Sequence, residues 1–586
     1  MRKIVFFIVS VTIVFAAVAP FYFTESRYYS SSLKKFSSYE ELKNFVKAGP
    51  QYYSYYYESP SSGLIGERSG TPAEALSSVP DYSTTNIQVA GVDEADIAKT
   101  DGEYIYVVSN NSVIILKAYP PGEAEVLAEI DLEGVLRGVF VNGDKLVVFE
   151  DEGYRVYKSS TYETPRTVIK VYDISDRASP ISTRNASLDG YYFNARMIGD
   201  YVYVVINQPA YRQEDEIALP KIYSDDKVKE ISATEIYYSN ISDYSYAFTT
   251  IVAVNIENDD QELTHETILL GVTSNTYVSL NNIYITFPRN ERTLIYRIHI
   301  DDSQIELAAN GEVPGHVLNQ FSMDEHKGYF RIATTTGQLW SKEAPSKNHV
   351  YVLDMDLNIV GKLEDLAPKE KIYSARFMGD RCYLVTFRKV DPLFVIDLKN
   401  PYNPEVLGQL KITGYSDYLH PYDENHVIGI GKETVAAEQG DFSWYQGVKI
   451  SLFDVSDVEN PKEIDKYEIG DRGTESPVLR DHKAFLFDES KNLLVMPVSV
   501  VESGKSFVWQ GAYIFDISLD EGLVLKGRIT HLEDDSDLMK SSYYFFSPFS
   551  VKRSLYIDNV LYTISEKKIK MNSLENLEQI NEIELP

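Results

Sequence analysis

Histidine and carboxylate side chains concentrate at one place in this 586-residue chain: His420, Asp423 and His426 in LHPYDENH, with Asp481 and His482 further on. Neutral imidazole and carboxylate oxygen suit zinc or a similar borderline cation. The spacing matches no compact zinc motif, and HPYDENH is not the HExxH of metallopeptidases. A turn held by hydrogen bonds is the competing account. A second group, Asp93, Glu94 and Asp96, offers hard oxygen ligands that would suit calcium, yet it lacks the glycine and the twelfth-position glutamate of an EF-hand loop. Its alternative role is to accept backbone N–H groups while fastening a first strand.

Arg137, Arg196, Arg376 and Arg553, with His420 and His482, stand at comparable points of a recurring pattern described below. Guanidinium groups that converge can hold an anion through paired hydrogen bonds to carboxylate or phosphate. They could instead pair with acids of neighbouring units, such as Asp200 or Asp380, and brace the fold. The single cysteine, Cys382 in GDRCYLVTF, reads as a small buried thiol and excludes any intrachain disulfide. GLIGE and GIGKE lack the central serine of a nucleophile elbow, and GIGKE also lacks the spacing and the Ser or Thr of a phosphate loop. No catalytic residue is assigned.

The elements that must position these groups are short repeated hairpins. DGEYIYVV at Asp101, NGDKLVVF at Asn142, IGDYVYVV at Ile198, MGDRCYLV at Met378 and IDNVLYTI at Ile557 each place a Gly or acid turn before an apolar strand. VYDISDRASP at Val171, VIDLKNPYNP at Val395 and LFDVSDVENP at Leu452 repeat a later strand and its exit turn, where Asp starts the turn and Pro cannot continue a ladder. Nine candidate units begin near 92, 135, 193, 275, 318, 372, 416, 480 and 552. Such spacing predicts an all-β fold, a large β-propeller of eight or nine four-stranded blades. The strands are almost continuously apolar, which fits sheets covered on both faces. A sandwich joined to a small propeller is the rival. In a propeller the first strand of each blade lines the axis, so the arginines and histidines named above can meet there.

With 44% hydrophobic residues, 45 Tyr and 26 Phe, the chain can fill a large core, which excludes general disorder. Its net charge of −31 would repel a phosphate backbone, so no nucleic acid is expected as a partner. Arg2 and Lys3 precede an apolar run from Ile4 to Phe23, an export signal or membrane anchor over residues 1–24. The expected localisation is therefore extracellular or cell surface, secreted or anchored. Asn110, Asn185 and Asn240 each open an Asn-x-Ser triplet that could carry sugar. Residues 25–50 contain a capping box, Ser38 to Glu41, and predict a short helix stopped by Gly49-Pro50. Residues 51–85, rich in Tyr, Ser, Gly and Pro, read as a spacer, and 86–586 as the propeller.

GVDEADIAKTDGEYIYVV at Gly91, GEVPGHVLNQFSMDEHKGYFRIATTTG at Gly311, IYSARFMGDRCYLVTF at Ile372, DYLHPYDENHVIGIG at Asp417 and DHKAFLFDESKNLLVMPV at Asp481 resemble the prokaryotic secreted proteins with a C-terminal β-propeller domain distantly related to WD-type repeats. The resemblance spans roughly residues 86 to 586. It implies the fold and brings no activity with it. The functional expectation is an extracellular or cell-surface binding module for a protein, peptide or glycan. A channel-mouth hydrolase or metal-dependent enzyme, with calcium or zinc as its divalent cation, and a structural surface component are the alternatives.

Overall fold

A computed structural model describes residues 33–49 and 80–586, apart from 153–164, 211, 214, 225–226, 240–245, 272, 389–390, 438–442, 503–505, 535 and 541–544. Nine sheets of four or more strands follow one another within residues 98–131, 135–189, 191–270, 275–314, 316–366, 371–412, 415–469, 486–529 and 553–584. Each is built on a four-stranded antiparallel meander, extended in the second and third by added edge strands, one of them parallel, and in the fifth by a second short strand beside the first. This is the all-β propeller expected, its strands grouped in nine such sheets among the described residues. The ring closes where sheet nine meets sheet one, with Leu555, Tyr562 and Met571 packed against Ile105, Ile114 and Leu116. The Tyr562 hydroxyl donates to Ala118 O at 2.7 Å across that seam.

Local chemistry explains the repeat. Asn142 faces Lys145, Ile198 faces Tyr201 and Met378 faces Arg381 across two-residue turns. Their first residues, Gly143, Gly199 and Gly379, have φ of 55°, 55° and 52°, a region that favours glycine. The exit turns close on aspartate: Ser175 N, Lys399 N and Ser456 N donate to Asp173, Asp397 and Asp454 at 2.9, 2.8 and 2.9 Å. Asp176, Asn400 and Asp457 repeat the device three residues on. Central strands such as Lys145–Glu152 and Ala247–Asn255 are buried along nearly their whole length, as sheets packed on both faces require.

Neighbouring blades approach so closely at their outer strands that several positions admit no side chain. A Cβ on Gly361 would lie 2.0 Å from Pro401 O, and one on Gly408 would lie 2.2 Å from Val458 O, both in the exit turn of the following blade. Each turn therefore docks against the preceding sheet.

The helix α1, Tyr39–Ala48, begins as the capping box predicts, with the Ser38 side chain accepting from Glu41 N at 3.2 Å. The reciprocal arm differs: the Glu41 carboxylate accepts from Ser37 N at 2.7 Å rather than from Ser38. Leu42 and Val46 bury against Phe36, Tyr238, Phe248 and Leu269, so the helix covers the outside of sheet three.

The hydrophobic segment Ile4 to Phe23, most of the 51–85 spacer and Asn240 lie outside the described residues. Among the described residues no helix is long and apolar enough to cross a membrane, and the transmembrane expectation is corrected on that finding. Asn110 and Asn185 are both exposed. Residues 80–85 belong with the folded domain, because Ser83 N donates to Tyr556 O at 3.0 Å.

The close blade contact yields a test. Gly408→Ala should lower stability by about 1–3 kcal/mol through overpacking, seen as a lower urea midpoint. Gly122→Ala, with nothing within 4 Å of the new methyl, should leave that midpoint almost unchanged.

Candidate functional site

The axis of the ring is crossed by the chain itself. Residues 81–97 run from sheet nine over the channel mouth and down into it before entering sheet one as the strand Ala98–Thr100. The first repeat, expected to start near 92, is therefore preceded by a strap. Asn86 Nδ2 donates to the Tyr418 hydroxyl at 3.2 Å and to His482 O at 3.1 Å. His482 Nε2 lies 2.9 Å from Asn86 O, which places the ring proton on Nε2. Gln88 Nε2 donates to Gln320 O and Met323 O at 3.1 and 3.3 Å. Glu94 then pairs in register with Arg196 of sheet three, and Asp96 exchanges backbone hydrogen bonds with Val139 of sheet two.

Charge in the axis is paired inside the chain. Glu94 Oε2 meets the Arg196 guanidinium at 3.3 Å and His482 Nε2 at 3.9 Å. Burial raises the Glu94 carboxyl above its ordinary value, with Arg196 and Lys483 opposing. Asp96 is buried as well, which by itself disfavours its charge. The Arg553 guanidinium at 2.9 Å and the Lys483 ammonium outweigh that and hold its carboxyl low. Arg553 also meets Asp481 at 2.5 Å. Lys483 Nζ donates to Ala95 O at 2.7 Å, while burial lowers its own pKa. Buried ions of this kind tolerate their desolvation only through such partners.

The expected site residues are distributed as follows. Arg196, Arg553, His482, Glu94 and Asp96 converge on the strap. Arg137 pairs with Asp151 at 2.6 Å within sheet two. The Arg376 guanidinium lies over the Phe321 ring, 5.0 Å from its centroid. Asp93 meets Lys99 at 2.7 Å. Asp423 and His426 form a pair at 2.8 Å on a hairpin turn of sheet seven. His420 stands apart from them, its Nδ1 2.9 Å from the Tyr418 hydroxyl, and burial holds its pKa well below the usual imidazole value. The carboxylates met by the channel arginines are thus Glu94, Asp96, Asp151 and Asp481. Asp380 instead meets Lys327 at 2.7 Å.

Among the described residues no group of three or more His, Cys, Asp or Glu side chains could hold a metal ion. The calcium and zinc expectations are corrected accordingly: Asp93, Glu94 and Asp96 each face a different cation, and His420, Asp423, His426 and His482 do not share a centre. Cys382 is buried, and burial pushes its thiol up to about 12, which leaves it unreactive at neutral pH.

Sequence reasoning missed Asn86 and Gln88, the short 3-10 turn Gln320–Ser322 that presses Phe321 into the axis, and Lys483. It also missed a cavity of about 840 Å³ at the channel mouth. The strap forms one wall, hairpin turns of sheets six, seven and eight form most of the rest, and Tyr277 of sheet four with Asp324 and Glu325 of sheet five complete it. Tyr422, Phe485 and Phe487 are its aromatic surface, with His420 between them: the His420 ring lies 4.9 Å from Phe485 and 5.1 Å from Phe487. A second cavity of about 480 Å³ lies across the strap, beside Lys99 and Asp200. The aromatic residues in HPYDENH and DHKAFLFD were the available signal.

A family model described as a β-propeller domain matches residues 82–577. An uncharacterized protein of Methanocaldococcus jannaschii is 32% identical over 94% of this chain and 91% of its own length. An uncharacterized protein of Archaeoglobus fulgidus is 27% identical over the whole of both chains. Among solved structures, Kluyveromyces lactis Hsv2p is similar at 10% identity and a TM-score of 0.32, covering 67% of this chain and 98% of its own. A protein from Lactobacillus plantarum reaches the same score at 10% identity, covering 58% and 92%. At such scores the likeness carries no argument about this chain.

Two outcomes test the axial electrostatics. Arg553→Ala strands Asp96 and should destabilise the fold by about 3–5 kcal/mol, whereas Arg553→Met with Asp96→Ala should recover much of that loss in urea unfolding. Asp417, on the first strand of sheet seven, has its carboxyl pushed up to about 7 by burial. An acid whose folded pKa is raised favours the native state at low pH, and that advantage is lost as pH rises through about 7. Asp417→Asn should therefore raise the melting temperature at pH 8, and the gain should vanish near pH 4.

Proposed function

Because this chain belongs to the β-propeller domain family, we propose that it is an exported binding module that holds a protein, peptide or glycan segment in the cavity at the mouth of its axis. Propellers serve widely as interaction scaffolds, and the chemistry of each resides in its loops and channel mouth. The observation that carries the reading is the strap. It takes up the axial charges and leaves, on its outer side, a concave space of about 840 Å³ with an aromatic surface. Sites of that size, with aromatic walls and a few polar groups, are where ligands are held. Turns from several blades supply the lining, so the ligand reads the assembled ring rather than one repeat. Export is supported by Arg2 and Lys3 ahead of the apolar run Ile4 to Phe23.

Thermal unfolding of the purified chain across a panel of peptides, glycans and small polar molecules tests this, since a ligand that binds the native state alone raises the melting temperature. Thr84 is an exposed strap residue on the cavity wall, and the indole of Thr84→Trp should obstruct the space. The expected result is at least one compound whose stabilisation Thr84→Trp abolishes while the unliganded melting temperature stays the same. Hits that all survive Thr84→Trp would overturn the cavity as the binding site.

A further inference from the structure

The cavity at the channel mouth has a definite charge. Seven carboxylates line it against two guanidinium groups, Arg376 and Arg381. The Arg376 guanidinium lies over the Phe321 ring and Arg381 Nη1 donates to Val455 O at 3.4 Å. Five of the carboxylates have partners. Asp324 accepts from Arg331 at 2.8 Å, Asp380 from Lys327, and Asp423 lies against His426. Glu325 accepts from the Tyr284 hydroxyl at 2.8 Å, and Asp488 from the Tyr556 hydroxyl at 2.5 Å. Glu424 and Glu489 differ. Both are exposed at hairpin turns of adjacent blades, and among the described residues neither side chain has an ion pair or hydrogen bond.

The aromatic surface lines the same cavity. Phe487 stands 5.4 Å from Tyr422 and 6.4 Å from Phe485, the latter two phenylalanine rings nearly parallel at 17°. Burial, with the nearby Glu489 and Asp423, raises the Tyr422 phenol. His420, kept neutral, adds no opposing charge. Aromatic faces attract cations through their quadrupole, most strongly where water is partly excluded. Carboxylates above an aromatic surface complement a group that is positive at its head and apolar along its stem. An anion would meet repulsion from the same rim.

We propose that the cavity binds an alkylammonium group, as a lysine side chain of an extended peptide or a free polyamine presents it, with Glu424 and Glu489 facing the nitrogen and Phe487 and Tyr422 the methylenes. This rests on the cavity being the binding site and adds the class of ligand.

Calorimetric titration of the whole purified chain with spermidine, and separately with a lysine-containing peptide, tests the assignment. One saturable site per chain is expected, weakened by raised salt. Glu424→Gln with Glu489→Gln should weaken it about tenfold, and Phe487→Leu, which leaves charge unchanged, about fivefold. Both carboxylates are exposed, so circular dichroism and melting should be unaltered. Glu575→Gln with Glu578→Gln, exposed acids on an outer turn of sheet nine, serve as the control for diffuse attraction. Tighter binding of the peptide than of spermidine, or the reverse, identifies the source and supports the proposal equally. Absence of saturable binding, or equal weakening by the control pair, overturns it. Citrate is the opposing probe: binding of citrate that Thr84→Trp blocks, with no spermidine binding, would leave the cavity as the site and reject the cationic ligand.

Discussion

Everything at the centre of this molecule depends on pairing buried charge across the axis. A closed ring of sheets brings first strands from all sides toward one line, and in this chain four of those strands carry arginine, at Arg137, Arg196, Arg376 and Arg553. Left alone, Arg196 and Arg553 would be buried cations without compensation, at a cost of several kcal/mol each. The strap supplies the compensation: Glu94 meets Arg196 and Asp96 meets Arg553, with Asp481 and Lys483 completing the set. Sheets two, three, eight and nine are thereby tied to a single extended segment.

That segment also shapes what lies outside. Ser83 fastens it to sheet nine, and Asn86 and Gln88 fasten it to side chains and carbonyls from sheets five, seven and eight. Its path divides the channel mouth into two cavities, of about 840 and 480 Å³. A strap released from the axis would expose four buried ionic groups and remove a wall from both cavities at once. Stability and binding surface therefore share one set of contacts.

The aromatic residues work at two levels. Tyr106, Tyr284 and Tyr562 occupy matching places on second strands and are fully buried, filling the space between blades while their hydroxyls find Asp101, Glu325 and Ala118 O. Phe485, Phe487 and Tyr422 lie at or beside the ends of first strands instead, where they line the cavity at the channel mouth.

The blades were legible in the sequence because the interactions that define them are local. A two-residue glycine turn, an Asp that caps its own exit turn and a run of apolar residues all act within about ten positions, and the nine starts read from those signals match the nine sheets closely. The capping box of α1 was legible for the same reason. The axial site was legible only as residue types. Arg196, Arg553, His482, Glu94 and Asp96 were singled out, yet which acid meets which base was not, because Asp96 and Arg553 stand 457 residues apart and no local pattern records such a pairing. The metal reading of the acids and histidines rested on residue type against the spacing, and among the described residues they share no centre because packing set Asp93, Glu94 and Asp96 against different cations. Gln320 and Lys483 had no sequence signature, and the cavity wall of Phe485 and Phe487 had only the aromatic residues of DHKAFLFD. Hydrogen bonding and apolar burial along the strands determined the repeated sheet; only closure of the ring, which brings distant first strands within a few ångströms, decided what the charges at its centre would face.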